Sequence, residues 1–251
     1  MVHPYQKLFK NSFLTKKKEN LFVKIIKKLQ YLIIKSILDR IFILLTEKCE
    51  KVFFFSSQYT NWSNELGVKS YYLRTPLYDN FEENRNSENQ FTILMIGDLT
   101  GTVTKTGLDL FFEKILPDLN IIIGKDNFQV KIVGRNNLFY KNKYSNFDNV
   151  QFLGKVEPAN KLFLNSDVLL TPNPLGIGIR VRILTAFAYG CPVVTHNSNT
   201  KGIPELEHDY NALISDNSKG LVNCLLRLYK DEKLKTAISL NGKDTFKSFF
   251  S

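Results

Sequence analysis

The sequence predicts an α/β fold, a parallel sheet with helices on both faces, preceded by a shorter and mostly helical region. Three observations predict it. From residue 91 onward, short apolar runs alternate with helical patterns, the signature of strands joined by crossover helices. The run "FTILMIG" is continuously apolar rather than alternating, as a strand buried on both faces must be. Glycines punctuate the carboxyl ends of several of these runs, where ligands bind in open parallel sheets.

The elements follow in chain order. Residues 1–20 read as a basic tail. Residues 21–48 read as one or two amphipathic helices, with Phe22, Ile25, Leu29, Leu32, Ile33, Ile37, Ile41 and Leu45 close to a 3.6 period. Two readings stand for this segment: a core-packed helix with a solvated lysine face, or a helix lying on a membrane surface. "KVFFFSS" (51–57) is expected to be a short buried strand, and Gly67 to end a helix. The polar stretch 81–90 is expected to be a linker. This divides the chain into a partial N-terminal region, 1–85, and an α/β domain, 91–247.

Within that domain, "FTILMIG", "QVKIVG", "VQFLG", "DVLLTP", "PVVTH" and "NALIS" are strands. "LDLFFEKIL" (108–116), "ANKLFLNS" (159–166) and "RVRILTAFAYG" (180–190) are helices, and two more close the chain between 218 and 247.

Composition narrows the function classes. The chain has 251 residues, 43% hydrophobic and 23% charged, which excludes a disordered protein. Its 34 basic and 24 acidic residues leave +10, pointing to anionic partners. The three cysteines (Cys49, Cys191, Cys224) are far apart and fit a reducing compartment. No metal-ligand spacing appears, and a metal is not expected. The segment "MVHPYQKLFKNSFLTKKKEN" lacks a signal-peptide pattern, and no long uncharged apolar run predicts a membrane span. A cytoplasmic location is expected, with a peripheral position on the inner face of the membrane as its variant.

The turns carry the chemistry. In "GDLTGTVTKTG", Gly97 and Gly101 allow close backbone approach, Thr100, Thr102 and Thr104 offer hydroxyls, and Lys105 offers charge. A helix expected from 107 then presents its positive N-terminus. The bland alternative is a glycine-containing surface loop. "VGRNN" places Arg135 after Gly134, and "FLGKVEP" places a tight turn at Gly154–Glu157 that could offer backbone atoms to a planar base. In "PLGIGIRVRILTAFAYG", Gly176 and Gly178 precede a helix whose first turn holds Arg180 and Arg182. Helix N-termini favour acids. Arginines there make sense if an anion supplies the missing charge, and a diphosphate would suit guanidinium groups and free amides. The alternative is that both arginines face water or pair with carboxylates elsewhere.

Taken together, "ILMIGDLTGTVTKTGLDLF", "VKIVGRNN", "NVQFLGKVEPANKLFLNSDVLLTPNPLGIGIRVRILTAFAYGCPVVTH" and "KGIPELEHDYNALI" resemble the Rossmann-like, donor-binding C-terminal domain of GT-B glycosyltransferases, family 4-like. The resemblance covers about residues 91–247 and implies a retaining transfer from a nucleotide-diphosphate sugar, without metal or other cofactor. It implies donor-binding roles for Gly97, Thr100, Gly101, Thr102, Lys105, Gly134, Arg135, Gly154, Val156, Gly176, Gly178, Ile179, Arg180, Arg182 and Thr185. Many relatives carry two glutamates eight positions apart at this loop; here those positions are Ile177 and Thr185. The resemblance also implies an N-terminal acceptor domain, of which 1–85 holds only a part. No catalytic residue is assigned; His3 lies in the tail.

The expected partners are a nucleotide sugar, a glycan or lipid-linked acceptor, an anionic membrane surface and a chain completing the N-terminal domain. The alternative to a working transferase is a donor-binding half that needs such a partner for turnover. Nucleic acid is not expected, because no aromatic–basic RNA motif appears.

Overall fold

The computed structural model describes residues 21–77, 90–135 and 138–251. The tail 1–20 and nearly all of the linker stretch 81–90 lie outside them. The chain forms two compact units, Met1–Arg74 with Ile177–Ile179, and Thr75–Gly176 with Arg180–Ser251.

The first unit contains α1 (Leu21–Thr46), β1 (Val52–Phe54), α2 (Ser57–Glu65) and β2 (Ser70–Tyr72). β1 and β2 pair in parallel, with Phe53 opposite Tyr71. Asn64 ties the end of α2 to β2: its Oδ1 accepts from Ser70 N (2.8 Å) and its Nδ2 donates to Ser70 O (3.2 Å). Two expectations need correction here. β1 is not buried, for Phe53 is 53% exposed. A two-stranded sheet has too little surface to cover both faces of a strand.

The core-packed reading of 21–48 also fails. The segment is one helix, not two, and its large apolar side chains from Ile25 to Leu45 are mostly exposed. Apolar residues occupy more than one face, so the 3.6 period read from the sequence does not single out a buried stripe.

The second unit is built on a six-stranded sheet: β3 (Phe91–Ile96), β4 (Phe128–Val133), β5 (Val150–Gly154), β6 (Val168–Thr171), β7 (Val193–His196) and β8 (Leu213–Ser215). The spatial order is β5-β4-β3-β6-β7-β8, and every pairing is parallel. The continuous apolar runs are explained by burial on both faces: Ile93, Leu94, Val130, Ile132, Val168, Leu169, Val193 and Val194 have no accessible surface.

Helices supply that cover. α3 (Thr102–Leu110) runs through one π turn (Phe111–Ile115) into α4 (Leu116–Ile122), and puts Leu108, Phe111, Phe112, Ile115, Leu116 and Leu119 into the core. Short helices α5 (Leu138–Lys143) and α6 (Asn160–Leu164) follow, then α7 (Val181–Ala188), α8 (Ser218–Lys230) and α9 (Glu232–Phe249). α8 and α9 have side-chain caps: Asn217 Oδ1 accepts from Gly220 N and Asp231 Oδ1 from Leu234 N, each at 2.9 Å. α9 is also tied to the sheet by a buried ion pair, Lys235 Nζ to Asp167 Oδ1 at 2.9 Å, while Asp167 Oδ2 accepts from Thr92 N.

The topology fixes where a ligand can enter. β3 has β4 on one side and β6 on the other, so the chain's winding reverses between β3 and β6. The loops leaving these two strands diverge and open a crevice at their carboxyl ends.

Candidate functional site

The turn after β3 begins at Gly97, whose N–H donates to Val133 O (2.9 Å). A Cβ on Gly97 would overlap the guanidinium of Arg182, and one on Gly134 would overlap the Gly97 carbonyl. Gly134 N in turn donates to Gly154 O (2.8 Å). Three predicted glycines thus lie side by side across the ends of β3, β4 and β5, and two have no room for a side chain.

The next residues form an acceptor-centred turn. Thr100 donates to Asp98 Oδ1 from its N–H (2.9 Å) and its hydroxyl (2.6 Å). Those bonds, with Arg135 as a lesser contribution, hold the Asp98 carboxyl below its usual range. The Thr100 hydroxyl proton is therefore engaged within the turn. Gly101 is the N-cap of α3, and the helix starts at Thr102, not near 107 as the sequence suggested. A run of threonines reads as loop from propensity alone, yet Thr102, Thr104 and Lys105 sit in the helix's first turn.

On the other side of the crevice, the loop after β6 runs from Pro172 to Arg180. A Cβ on Gly176 would overlap the Ser198 carbonyl, and Gly178 has a φ of +66°, a conformation that favours glycine. Ile179 leads to Arg180, the N-cap of α7, whose Nη2 donates to Leu175 O (3.2 Å). Neither α3 nor α7 has an acidic residue in its first turn or a side-chain cap, in contrast to α8 and α9. Two helix N-termini with free amides therefore border one switch point.

Arg182 is the decisive group. Its side chain points from the first turn of α7 to Gly97 and lines a small cleft with Leu99, Thr104, Leu108, Pro172 and Asn173. Among the described residues no carboxylate forms an ion pair with it. Burial, and secondarily the charge of Arg180, lowers its pKa to about 10. A desolvated guanidinium in no ion pair among the described residues, beside a second arginine, favours an anion.

Other predicted residues take lesser places. Arg135 is exposed beside Asp98. Val156 is half-buried in the turn after β5, between Lys155 and Glu157, which pair at 2.8 Å. Thr185 donates to Val181 O (3.1 Å), so its hydroxyl proton serves the helix. Among the described residues no cluster of His, Cys, Asp or Glu could hold a metal.

Two residues of the site escape the sequence patterns. Asn173, buried, donates from Nδ2 to Val103 O in the first turn of α3 (2.7 Å). Its own carbonyl accepts from Ser198 Oγ (2.6 Å). Asn173 thereby straps the β6 loop to α3. The one available signal was a lone polar residue between Pro172 and Pro174, at a strand's carboxyl end.

Residues 90–231, more than half of the chain, match the family described as glycosyl transferases group 1. The chain belongs to that family. Solved GT-B structures share its fold. HepE from Anabaena, in complex with UDP and glucose, superposes with a TM-score of 0.69 at 16% identity, covering 85% of this chain and 62% of that one. TarM of S. aureus, in complex with fondaparinux, alpha-GlcNAc-glycerol and UDP, gives 0.66 at 13%, covering 80% and 41%. WaaG, a glycosyltransferase involved in lipopolysaccharide biosynthesis, gives 0.64 at 16%, covering 78% and 58%. At such identities the likeness is one of fold. The chain spans less than two thirds of the length of each of these relatives. No curated protein matches it in sequence.

Proposed function

We propose that this glycosyltransferase-family chain binds a nucleoside-diphosphate sugar at the β3/β6 switch point and transfers the sugar, with retention, to a glycan, lipid or small-molecule acceptor. The observation that carries the reading is Arg182: a desolvated guanidinium beside Arg180, without a carboxylate partner among the described residues, facing the glycine turn after β3. The diphosphate lies between the N-termini of α3 and α7, contacted by Arg180, Arg182 and Lys105. The Gly154–Glu157 turn faces the base. Uridine is the first base to test, because HepE and TarM are complexed with UDP.

In the transfer, the bond between the anomeric carbon and the β-phosphate oxygen breaks, and an acceptor hydroxyl oxygen bonds that carbon on the same face. The hydroxyl proton passes to the departing diphosphate, and negative charge grows on that leaving group as the bond breaks. Preorganised guanidinium groups and helix amides stabilise charge that develops where they already point. This chemistry needs no resident metal. Ile177 and Thr185 stand where many family 4-like relatives carry carboxylates, so that pair of acceptors is missing from this donor site.

The test is a thermal-shift series with UDP, GDP, ADP and their sugar conjugates, run on the parent chain and on Arg180→Ala. A ligand at about 100 times its dissociation constant stabilises by about 2.7 kcal/mol. A shift in the parent that is lost in the variant supports the donor site; no shift with any nucleotide overturns it. A second reading is a donor-binding half that needs a partner chain for turnover. Sugar release and transfer assays separate the two, since both readings expect nucleotide binding.

A further inference from the structure

The charge of this protein is not where its anion site is. Residues 1–74 hold 14 of the 34 basic residues and 5 of the 24 acidic ones, a net +9 of the chain's +10. The α/β unit that carries Arg180 and Arg182 is close to neutral. Among the described residues, the same segment also carries most of the exposed large apolar side chains. α1 turns inward its most polar stripe: Lys27, Tyr31, Lys35, Asp39, Phe42 and Thr46 are its least exposed positions. Lys35 and Asp39 pair at 2.8 Å within that stripe, and Phe42 packs on Trp62 with ring centroids 4.6 Å apart. The outward surface then consists of isoleucines and leucines, from Ile25 to Leu45, among them Ile33 at 59% and Leu45 at 73% exposure. A helix so arranged is reversed relative to the ordinary surface helix of a globular protein.

We infer that this face docks on an anionic lipid surface, with α1 lying in the interface. Two observations choose lipid over a protein partner. The apolar side chains are interspersed with exposed Lys28 and Arg40, and exposed Lys48 and Lys51 follow beside exposed Glu47 and Glu50. Protein interfaces are depleted of lysine, whereas interfacial helices combine apolar burial with basic groups that reach the headgroups. Positive charge concentrated in one segment also matches the negative potential of such a surface. Insertion rather than crossing is the physical mode, since among the described residues no helix is long and apolar enough to span a membrane. The inference is independent of the donor site, because none of the α1 residues belongs to it.

The experiment is co-sedimentation of the full chain with phosphatidylcholine vesicles and with vesicles containing about a third phosphatidylglycerol. Two double variants, Ile33→Glu with Ile37→Glu and Lys28→Glu with Arg40→Glu, change exposed positions and should fold. The UDP thermal shift, or in its absence the unliganded melting midpoint, verifies that each does. The expected result is binding to the anionic vesicles alone. Each double variant should weaken that binding by about tenfold or more. Equal binding to both vesicle types, or no binding to either, overturns the inference. So does a stable dimer, seen by light scattering, that the Ile33→Glu/Ile37→Glu variant dissolves, because a second copy then covers the face.

Discussion

At the scale of single residues, Arg182 carries a cost in the free protein that the proposed diphosphate would offset. Its folded pKa, about 10, lies below the ordinary arginine value because burial and Arg180 disfavour the charged form. For a cation the sign is then fixed: the folded state is penalised throughout the pH range below about 10. That penalty disappears as pH rises through 10 toward the unfolded value. A bound diphosphate removes it by supplying counter-charge. Arg182→Met should therefore melt no lower than the parent without ligand, and by analogy with replaced buried ions about 1–2 kcal/mol higher. It should show no UDP shift. Calorimetry should also find nucleoside-diphosphate affinity falling as pH rises through about 10, with a base that does not itself titrate there, as the guanidinium loses its proton. Glycine positions answer to sterics rather than charge. Gly134→Ala forces a Cβ into the Gly97 carbonyl, and should cost about 1–3 kcal/mol, read as a lowered melting midpoint.

Among elements, helix termini divide into two kinds. α8 and α9 start with side-chain caps, and α3 and α7 start without them. Asp231→Ala should lower stability by about 1 kcal/mol and leave the UDP shift untouched. Asn173→Ala should lower stability by a similar amount through the lost bond to Val103 O. It should also weaken UDP binding, because that bond holds the β6 loop to the first turn of α3. The pair of variants distinguishes a helix end that is structural from one that is a binding surface, and isothermal titration reads the difference.

At the scale of the whole α/β unit, stability depends on α9 clasping the sheet at the end away from the site. Lys235 is buried, bonded to Asp167 and, at 2.6 Å, to Glu232. Lys235→Met leaves Asp167 without that cation beneath β3 and β6, and should cost about 3 kcal/mol in a denaturant titration. The first unit has no such clasp among its described residues. Its two-stranded parallel sheet and reversed helix give it little core of its own.

The sequence by itself determined the sheet. Strands such as "FTILMIG" and "DVLLTP" are apolar on both faces, and only a doubly covered parallel sheet accommodates that pattern, so local composition was enough. It also located Arg180, Arg182 and the glycine turns, because each breaks a local rule within a few residues. The start of α3 was not legible, since threonines resist helix formation in isolation and the neighbouring loop overrode that tendency. Asn173 and Ser198 were not legible either, for their roles come from bonds across 70 and 25 positions of chain. Only the tertiary structure decided which way α1 faces. Its apolar residues cover most of its circumference, so periodicity could not choose an inward side, and the packed stripe proved to be the polar one.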